Sequence, residues 1–138
     1  MAYLLDTNVI SEIRRPRPNP GVVGWLATVD DDDLYISALV VGEIVQGIER
    51  LRRRDPGRAD GYTVWLGQLR TSYADRIVPV DLEVAAEWGR LNGVTRLPVV
   101  DGLLAATARV RGWTLVTRNT RDVARSGAHL LDPFTPPA

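Results

Sequence analysis

Short apolar runs alternate along the chain with longer segments in which apolar residues recur every three or four positions. The short runs have the length and continuity of buried β-strands, and the longer segments have the period of helices with one buried face. Strands are predicted over residues 2–6, 34–37, 76–80 and 114–117. Helices are predicted over residues 20–28, 38–53, 58–73, 82–92 and 98–111.

The predicted helices begin and end at residues that suit helix termini. A side-chain oxygen that can accept from the first free N–H groups predicts N-caps at Asn19, Ser37 and Asp81. Gly93 and Gly112 predict the ends of the last two helices, because glycine readily adopts the left-handed conformation found there. Residues 55–57, Asp-Pro-Gly, predict a turn, and the acidic run over residues 30–33 predicts a solvated loop.

Strands and helices that alternate in this way favour a three-layer α/β/α domain with a mainly parallel central sheet. A chain of 138 residues is long enough for one such domain and too short for two ordinary ones, so residues 1–138 are predicted to form a single domain. In an open parallel sheet, binding sites lie beyond the carboxyl ends of the strands, where the strand order reverses. Functional residues are therefore expected directly after the predicted strands.

The composition narrows the chemistry available at such a site. The chain has no cysteine, one histidine (His129) and 17 basic residues, all of which are arginine. This composition excludes thiolate metal sites, sites with several histidines, and mechanisms that need a catalytic or phosphate-binding lysine. Because the formal net charge is zero, affinity for nucleic acid would have to come from local clusters of arginine. Catalysis is left to carboxylates, hydroxyls and arginine.

The apolar segments are too short to predict membrane insertion. No window approaches the roughly 18 unbroken apolar residues of a membrane span. The first residues also lack the basic region and long apolar run of a signal peptide. The absence of cysteine fits a reducing compartment. We therefore expect a cytoplasmic protein without membrane association.

Two acidic residues stand in the first half of the chain where a site is expected. Asp6 ends the first predicted strand, and its alternative role is to cap a helix that starts at Thr7. Glu43 borders the apolar stripe of its predicted helix, where it could also simply pair with Arg50. Gly47, one turn further on, leaves space for either a ligand or a closely packed helix, at a cost of roughly 1 kcal/mol relative to alanine.

Two further acids come from the second half. Asp101 shares a predicted helix face with small apolar residues that should pack inward, where an unpaired carboxylate is penalised by desolvation. The alternative is that Asp101 caps a helix starting at Gly102. Asp122 follows the last predicted strand, in a segment that by itself predicts an ordinary polar loop. Thr117 and Asn119, in the same segment, are candidates to position water or the acids.

The argument for a site rests on the expected convergence of the four acids. Asp6 and Asp122 follow separate strands, while Glu43 and Asp101 lie on helices expected to pack beside them. Four carboxylates brought together could not all stay ionised without compensation. Divalent cations with oxygen ligands supply that compensation, and Mg²⁺ or Mn²⁺ suits a set made only of carboxylates. Such a site favours hydrolysis of phosphodiester bonds by an activated water.

Four segments resemble the motifs of PIN-domain toxins of the VapC/FitB type, in the order and at the separations usual in that family. They are residues 4–12 (LLDTNVISE), 43–48 (EIVQGI), 97–108 (LPVVDGLLAATA) and 115–122 (LVTRNTRD). The likeness extends through residues 127–134 and so covers nearly the whole chain.

The resemblance implies a cytoplasmic bacterial endoribonuclease that uses Mg²⁺ or Mn²⁺ and acts as the toxin of a type II toxin–antitoxin system. It also implies a cognate VapB-like antitoxin, whose C-terminal segment covers the active-site groove, and a homodimer. Val123 departs from the family's pattern, since an aromatic residue often follows the fourth acid. The residues that match the family's site are the core metal-binding acids Asp6, Glu43 and Asp101, the more variable acid Asp122, and the polar pair Thr117 and Asn119.

Arginines near these motifs are candidates for contact with RNA phosphates. Arg118 and Arg121, on either side of the last motif's polar residues, are the strongest of them. The arginines that follow the first motif, and those that end the helix over residues 38–53, are weaker candidates. Most of the latter have an alternative role, because basic residues at a helix C-terminus complement its dipole.

Two other functions are open on the sequence. A PIN-like scaffold whose acids only cap helices would be a non-catalytic module that binds another protein. The same four carboxylates could also serve a DNA nuclease or a phosphatase. The metal chemistry is common to these reactions, and contacts to the ribose 2′-hydroxyl are not visible in a sequence.

Overall fold

The computed structural model describes residues 1–135. Within these residues, five strands form one sheet: β1 (Tyr3–Leu5), β2 (Leu34–Ser37), β3 (Ile77–Val78), β4 (Thr114–Val116) and β5 (His129–Leu131). The strand order is β3-β2-β1-β4-β5, and every neighbouring pair is parallel. The expected parallel sheet is therefore confirmed. The single domain predicted over residues 1–138 includes residues 136–138, which lie outside the described part.

The same part of the chain contains seven α-helices that flank the sheet. They are α1 (Thr7–Ile13), α2 (Pro20–Leu26), α3 (Ala38–Arg52), α4 (Pro56–Ser72), α5 (Leu82–Val94), α6 (Val99–Arg111) and α7 (Thr120–Val123). Helices α3 and α4 pack against each other, as do α5 and α6. The architecture is the predicted α/β/α fold. Among the described residues, no helix combines the length and the apolar content needed to cross a membrane.

The sheet is covered on both faces, which explains why its strands read as continuous apolar runs. Consecutive residues of β1 and β4 point to opposite faces, and they are buried on both. The fully buried strand residues include Leu4, Leu5, Ile36, Leu115 and Val116. The helices close this core with Val9, Ile10, Val40, Ile44, Leu104 and Ala108.

The predicted helix starts are confirmed by their capping bonds. The Asn19 side chain accepts from two backbone N–H groups of α2, the Ser37 hydroxyl accepts from Leu39 N, and the Asp81 carboxylate accepts from Val84 N. Gly112 ends α6 with a φ of 69°, the left-handed conformation that favours glycine.

Other boundaries differ from the prediction. Asp55 caps α4 and Pro56 occupies its first position, so residues 55–57 begin a helix instead of forming a separate turn. Helix α5 runs through Gly93 and ends at Val94, because no left-handed residue interrupts it. The acidic run forms a short 3₁₀ turn over Asp31–Asp33. Helix α1 is the helix from Thr7 that the sequence left open as an alternative, whereas helix α7 and strand β5 were not among the predicted elements.

The strand order determines which edge of the sheet carries the candidate site. The chain starts in the middle of the sheet, builds outwards through β2 and β3, and then returns to the other side of β1 with β4 and β5. The strand order therefore reverses between β1 and β4, the point where a parallel sheet offers a crevice. Leu5 is paired with Val116, so Asp6 and Thr117 leave the sheet side by side.

Candidate active site

Asp6 uses both carboxylate oxygens in hydrogen bonds where it leaves the sheet. Its backbone N–H donates to the Val116 carbonyl at 2.9 Å and extends the β1–β4 ladder by one residue. Oδ1 accepts from the Thr7 N–H at 2.6 Å and caps α1, while Oδ2 accepts from the Thr117 hydroxyl at 2.8 Å. Asp6 therefore is a helix cap, as one alternative held. The cap occupies one oxygen and leaves the carboxylate at the crevice.

Thr117 joins the segment that follows β1 to the segment that follows β4. Its side chain, 1% exposed as a residue, donates to Asp6 and accepts from Asn8 Nδ2 at 3.3 Å and from the Asn119 N–H at 3.0 Å. Asn8 Oδ1 in turn accepts from the Arg118 N–H at 3.2 Å. Asn119 takes part in this network through its backbone N–H. The candidate pair therefore consists of Thr117, whose buried side chain contacts Asp6, and Asn119, which is exposed.

Glu43 reaches the same crevice from α3. Its Oε1 accepts from the Thr7 hydroxyl at 2.6 Å, so Thr7 contacts Asp6 through its backbone and Glu43 through its side chain. Among the described residues, Glu43 makes no ion pair with Arg50, so that alternative is wrong. Apart from its chain neighbours and the backbone of its own helix, no atom lies within 4 Å of where a Cβ on Gly47 would stand. Gly47 therefore leaves open space beside the acid and does not serve close helix packing.

Asp101 lies inside the first turn of α6. The helix begins at Val99, and the residue before it, Pro98, makes no side-chain capping bond. A cap for a helix starting at Gly102 is therefore not the role of Asp101. Its carboxylate accepts no side-chain hydrogen bond from residues 1–135 and forms no ion pair with them.

The four acids act on one another electrostatically. Burial raises the pKa of Asp101, and the negative charges of Asp6, Asp122 and Glu43 raise it further. Burial also raises the pKa of Asp6, while hydrogen bonds from Thr117 and from the first N–H of α1 lower it in part. Repulsion that raises the pKa of Asp101 requires the other three carboxylates to lie near it. The structure thus brings together the four acids that the sequence nominated.

Asp122 is the most exposed of the acids, and its surroundings differ from the polar loop expected. It lies in the short helix α7, followed by Val123, which is 2% exposed and packs in the core. Val123 thus fills the core position after the fourth acid. Arg118 and Arg121 are exposed beside it, and the Arg118 guanidinium lies 4.5 Å from the centre of the Phe134 ring. Both arginines border the crevice without pairing with its acids in the described residues.

The site fits a hydrated divalent cation better than a closed metal cage. Among residues 1–135, no three acidic or histidine side chains are arranged to hold a metal ion by themselves. Mg²⁺ does not need such a set, since it usually keeps several waters and is bound by one or two carboxylates. The donors are all oxygens, no arginine of the described chain neutralises them, and the pKa values of Asp6 and Asp101 are both raised. This donor chemistry is suited to Mg²⁺ or Mn²⁺.

Two residues of this site were not among the sequence candidates. Thr7 and Asn8 follow Asp6 directly and supply hydrogen bonds to Glu43 and Thr117. Their position directly after a buried strand could have identified them from the sequence, because side chains there face the crevice. The identity of their partners depends on the β1–β4 pairing and on the packing of α3, which local sequence does not specify.

Thr117→Val is expected to destabilise the protein by about 2 kcal/mol at pH 7, because a buried carboxylate loses a donor. Burial raises the folded-state pKa of Asp6 above its ordinary value of 3.8 and the Thr117 hydrogen bond lowers it in part, so the contribution of that bond is present above the raised folded-state pKa and is lost as pH falls through it. Urea unfolding at about pH 7 and about pH 4 measures this, with a smaller loss expected at the lower pH. An equal loss at both would show that Thr117 stabilises the fold only by packing.

Gly47→Ala is expected to stabilise the protein by roughly 0.5–1 kcal/mol, since alanine is the better helix former and nothing occupies the added methyl's position. Thermal unfolding of the purified variant measures the effect. A loss of stability would show that α3 needs glycine for close packing after all.

The chain as a whole matches known proteins with this arrangement. The family model described as PIN domain matches residues 3–127. The sequence is 34% identical over 140 residues to Toxin FitB from Neisseria gonorrhoeae, covering 95% of this chain and 97% of that protein. It is 29% identical over 143 residues to VapC ribonuclease Y4jK from Sinorhizobium fredii, covering 96% and 98%.

Solved structures agree with the sequence relatives. The crystal structure of FitAcB from Neisseria gonorrhoeae matches with a TM-score of 0.88 at 33% identity, covering 96% of this chain and 98% of that one. The resemblance noted in the four motifs is thereby confirmed along nearly the whole length. The chain belongs to the PIN-domain family, and its relatives in that family are toxins of the VapC/FitB type.

Proposed function

We propose that this protein is a Mg²⁺- or Mn²⁺-dependent endoribonuclease and the toxin of a type II toxin–antitoxin pair. The observation that carries the proposal is the grouping of Asp6, Glu43, Asp101 and Asp122 at the β1–β4 crevice without an arginine countercharge in the described residues. The relative named VapC ribonuclease Y4jK supports RNA as the substrate class, and the relative named Toxin FitB supports the role of a toxin.

Asp6, Glu43, Asp101 and Asp122 would hold the divalent ion, directly or through water. When bound, the ion supplies Lewis-acid activation of water and neutralises charge on the phosphodiester. Mg²⁺ and Mn²⁺ are the ions of choice because the chain offers only hard oxygen donors here.

The protein's own side chains orient the acids, accept a proton and bind the substrate's phosphates. Thr7 and Thr117 fix the Asp6 carboxylate and, through Thr7, the Glu43 carboxylate, so that two acids are held in one orientation before substrate arrives. Asp101 accepts no side-chain hydrogen bond among residues 1–135, so its oxygens are available for a cation or for a proton from the attacking water. Arg118 and Arg121, both exposed at the rim, are suited to the substrate's phosphates.

The alternative of a non-catalytic binding module is less well supported. It requires the acids to be helix caps, and of the four only Asp6 caps a helix within residues 1–135. Uncompensated carboxylates with raised pKa values are costly to a scaffold and typical of a working site. A DNA nuclease or a phosphatase on the same carboxylates is separated from a ribonuclease by its substrates.

We also propose that a VapB-like antitoxin binds this protein and that it forms a homodimer. The antitoxin is supported by the similar solved structures, which include FitAB bound to the IR36 DNA fragment, a match with a TM-score of 0.88. Co-expression of the chain with the product of the neighbouring gene, followed by co-purification, tests the pairing. Light scattering of the antitoxin-free protein tests the dimer.

The substrate class is tested with three substrates in Mg²⁺ or Mn²⁺ buffer. These are a single-stranded RNA, the single-stranded DNA of the same sequence, and nitrophenyl phosphate. Internal cleavage of the RNA alone supports an endoribonuclease. Faster cleavage of the DNA, or hydrolysis of the small phosphate alone, would instead support one of the alternatives.

A further inference from the structure

A groove of about 430 Å³ runs between α1, α3 and α4 and reaches Glu43, one of the four acids. Its apolar floor consists of Ile44, Ile48 and Leu51. Its walls consist of Arg14, Arg15, Arg54, Arg58, Tyr62 and Trp65. Thr7 and Glu43 line it as well, so this arginine groove is continuous with the acidic crevice.

The contacts of Arg14 indicate most directly what kind of ligand the arginine groove binds. Its guanidinium carbon lies 3.4 Å from the centre of the Tyr62 ring and 5.2 Å from that of Trp65. The Arg14 Nε is buried and has no hydrogen-bond partner in the described residues. The Arg14 guanidinium contacts the Tyr62 ring and has no acceptor among residues 1–135, so its terminal N–H groups, unlike the buried Nε, are free to donate to an external anion.

The balance of charge in the arginine groove also favours an anion. Of its four arginines, only Arg15 pairs with a carboxylate within residues 1–135, that of Glu12 at 3.3 Å. Among the groove's lining residues, Glu43 is the one acid, and it belongs to the catalytic crevice. Basic side chains, aromatic rings and an apolar floor together are the features with which proteins bind single-stranded nucleic acid.

We propose that the arginine groove binds the RNA strand on one side of the bond to be cleaved, and that Arg14 contacts a backbone phosphate there. This inference rests on the proposed ribonuclease function and assigns it a substrate path. Arg58, whose guanidinium carbon lies 5.9 Å from the centre of the same Tyr62 ring, contacts the same stretch of backbone, and the floor takes a base or a ribose. Arg14 and Arg58 are thereby substrate-binding residues that lie outside the four segments with family motifs.

Binding is measured separately from cleavage, in Asp6→Asn protein with a fluorescent single-stranded RNA whose anisotropy reports its affinity. Arg14→Gln and Arg58→Gln are each added to this background. Arg58 is exposed, so its variant folds even if Arg14→Gln does not. The matched control is Arg70→Gln, which removes the same charge from an exposed position of α4 outside the groove.

Arg14→Gln and Arg58→Gln are each expected to weaken RNA binding about tenfold, since a charged hydrogen bond is lost. Each should also reduce the salt dependence of binding by about 0.7 in the logarithmic slope, the value for one phosphate contact on a single strand. Arg70→Gln is expected to bind like the parent. In protein that keeps Asp6 and therefore cleaves RNA, the two groove substitutions should raise KM and leave the single-turnover rate at saturation unchanged.

Equal RNA affinity in the parent and both groove variants would overturn the inference, and the proposed function would stand if wild-type protein still cleaves RNA. Groove variants that lose affinity for a protein partner but keep RNA affinity would also overturn it, because the groove would then be a protein-binding surface. If wild-type protein fails to cleave RNA while the Asp6→Asn protein binds it through Arg14, the proposed function fails and the binding path remains.

Discussion

Asp6→Asn is expected to lower the rate constant of RNA cleavage by about 1000-fold, which corresponds to about 4 kcal/mol of transition-state stabilisation. The amide has nearly the same shape as the carboxylate and is itself a good N-cap, so it keeps the bond from the first N–H of α1. What it loses is the negative charge at the crevice and the acceptor for the Thr117 hydroxyl. The variant should therefore fold with somewhat lower stability and fail in catalysis. Single-turnover cleavage at saturating Mg²⁺, with a circular dichroism spectrum of the same sample, measures both.

The control for this variant is Asp75→Asn, which removes one negative charge from a side chain that is 89% exposed and outside the crevice. It should cleave at the wild-type rate. Cleavage by folded Asp6→Asn protein within about tenfold of the wild-type rate would exclude Asp6 as a metal-binding acid, since one charge removed from a binuclear or mononuclear site costs several kcal/mol.

Asp101→Asn is expected to abolish cleavage to a similar degree and, without metal, to stabilise the protein. Burial and the three neighbouring acids raise the folded-state pKa of Asp101 above its ordinary value of 3.8. The ionised folded state is therefore penalised as pH rises above 3.8, and the penalty is present at pH 7. Asparagine carries no charge and avoids it. A stabilising substitution that destroys activity is characteristic of a working site.

This stability difference is measured by thermal unfolding in EDTA at pH 7 and near pH 3.5. The variant should unfold at a higher temperature than wild type at pH 7, and the advantage should shrink at the lower pH, where Asp101 is protonated in the folded state and mostly protonated in the unfolded state. Added Mg²⁺ should raise the unfolding temperature of wild type more than that of the variant. A variant that is less stable than wild type in EDTA would show that Asp101 is compensated by the protein alone.

Sequence alone predicted the parts of the fold that have strong local signals. The strands ending at Leu5 and Val116 are continuous apolar runs, and the caps at Asn19, Ser37 and Asp81 each use one side chain next to its helix. Strand β5 was missed because His129–Leu131 is three residues long and only partly buried at the edge of the sheet. A run of this length carries no periodicity, and its pairing with β4 is a tertiary effect.

The sequence predicted which residues form the site but not which contacts they make. The positions of Asp6 and Asp122 after strands, and of Glu43 and Asp101 on helices, followed from the element pattern and from the family resemblance. The hydrogen bond from Thr7 to Glu43 spans 36 residues along the chain and depends on how α1 packs on α3. Arg14 had been a weak candidate among several arginines, since its stacking on Tyr62 requires α4 to lie beside α1. Such long-range packing leaves no local trace in sequence.

The most direct test of the proposed function is metal removal and return in one sample of wild-type protein freed of antitoxin and supplied with a mixed pool of single-stranded RNA. We expect internal cleavage in Mg²⁺ or Mn²⁺, none in EDTA, and recovery when either ion is added back in excess. Asp6→Asn protein should stay inactive in all three conditions. Cleavage that persists in EDTA, or that survives in Asp6→Asn protein, would contradict a carboxylate-held metal site as the source of the activity.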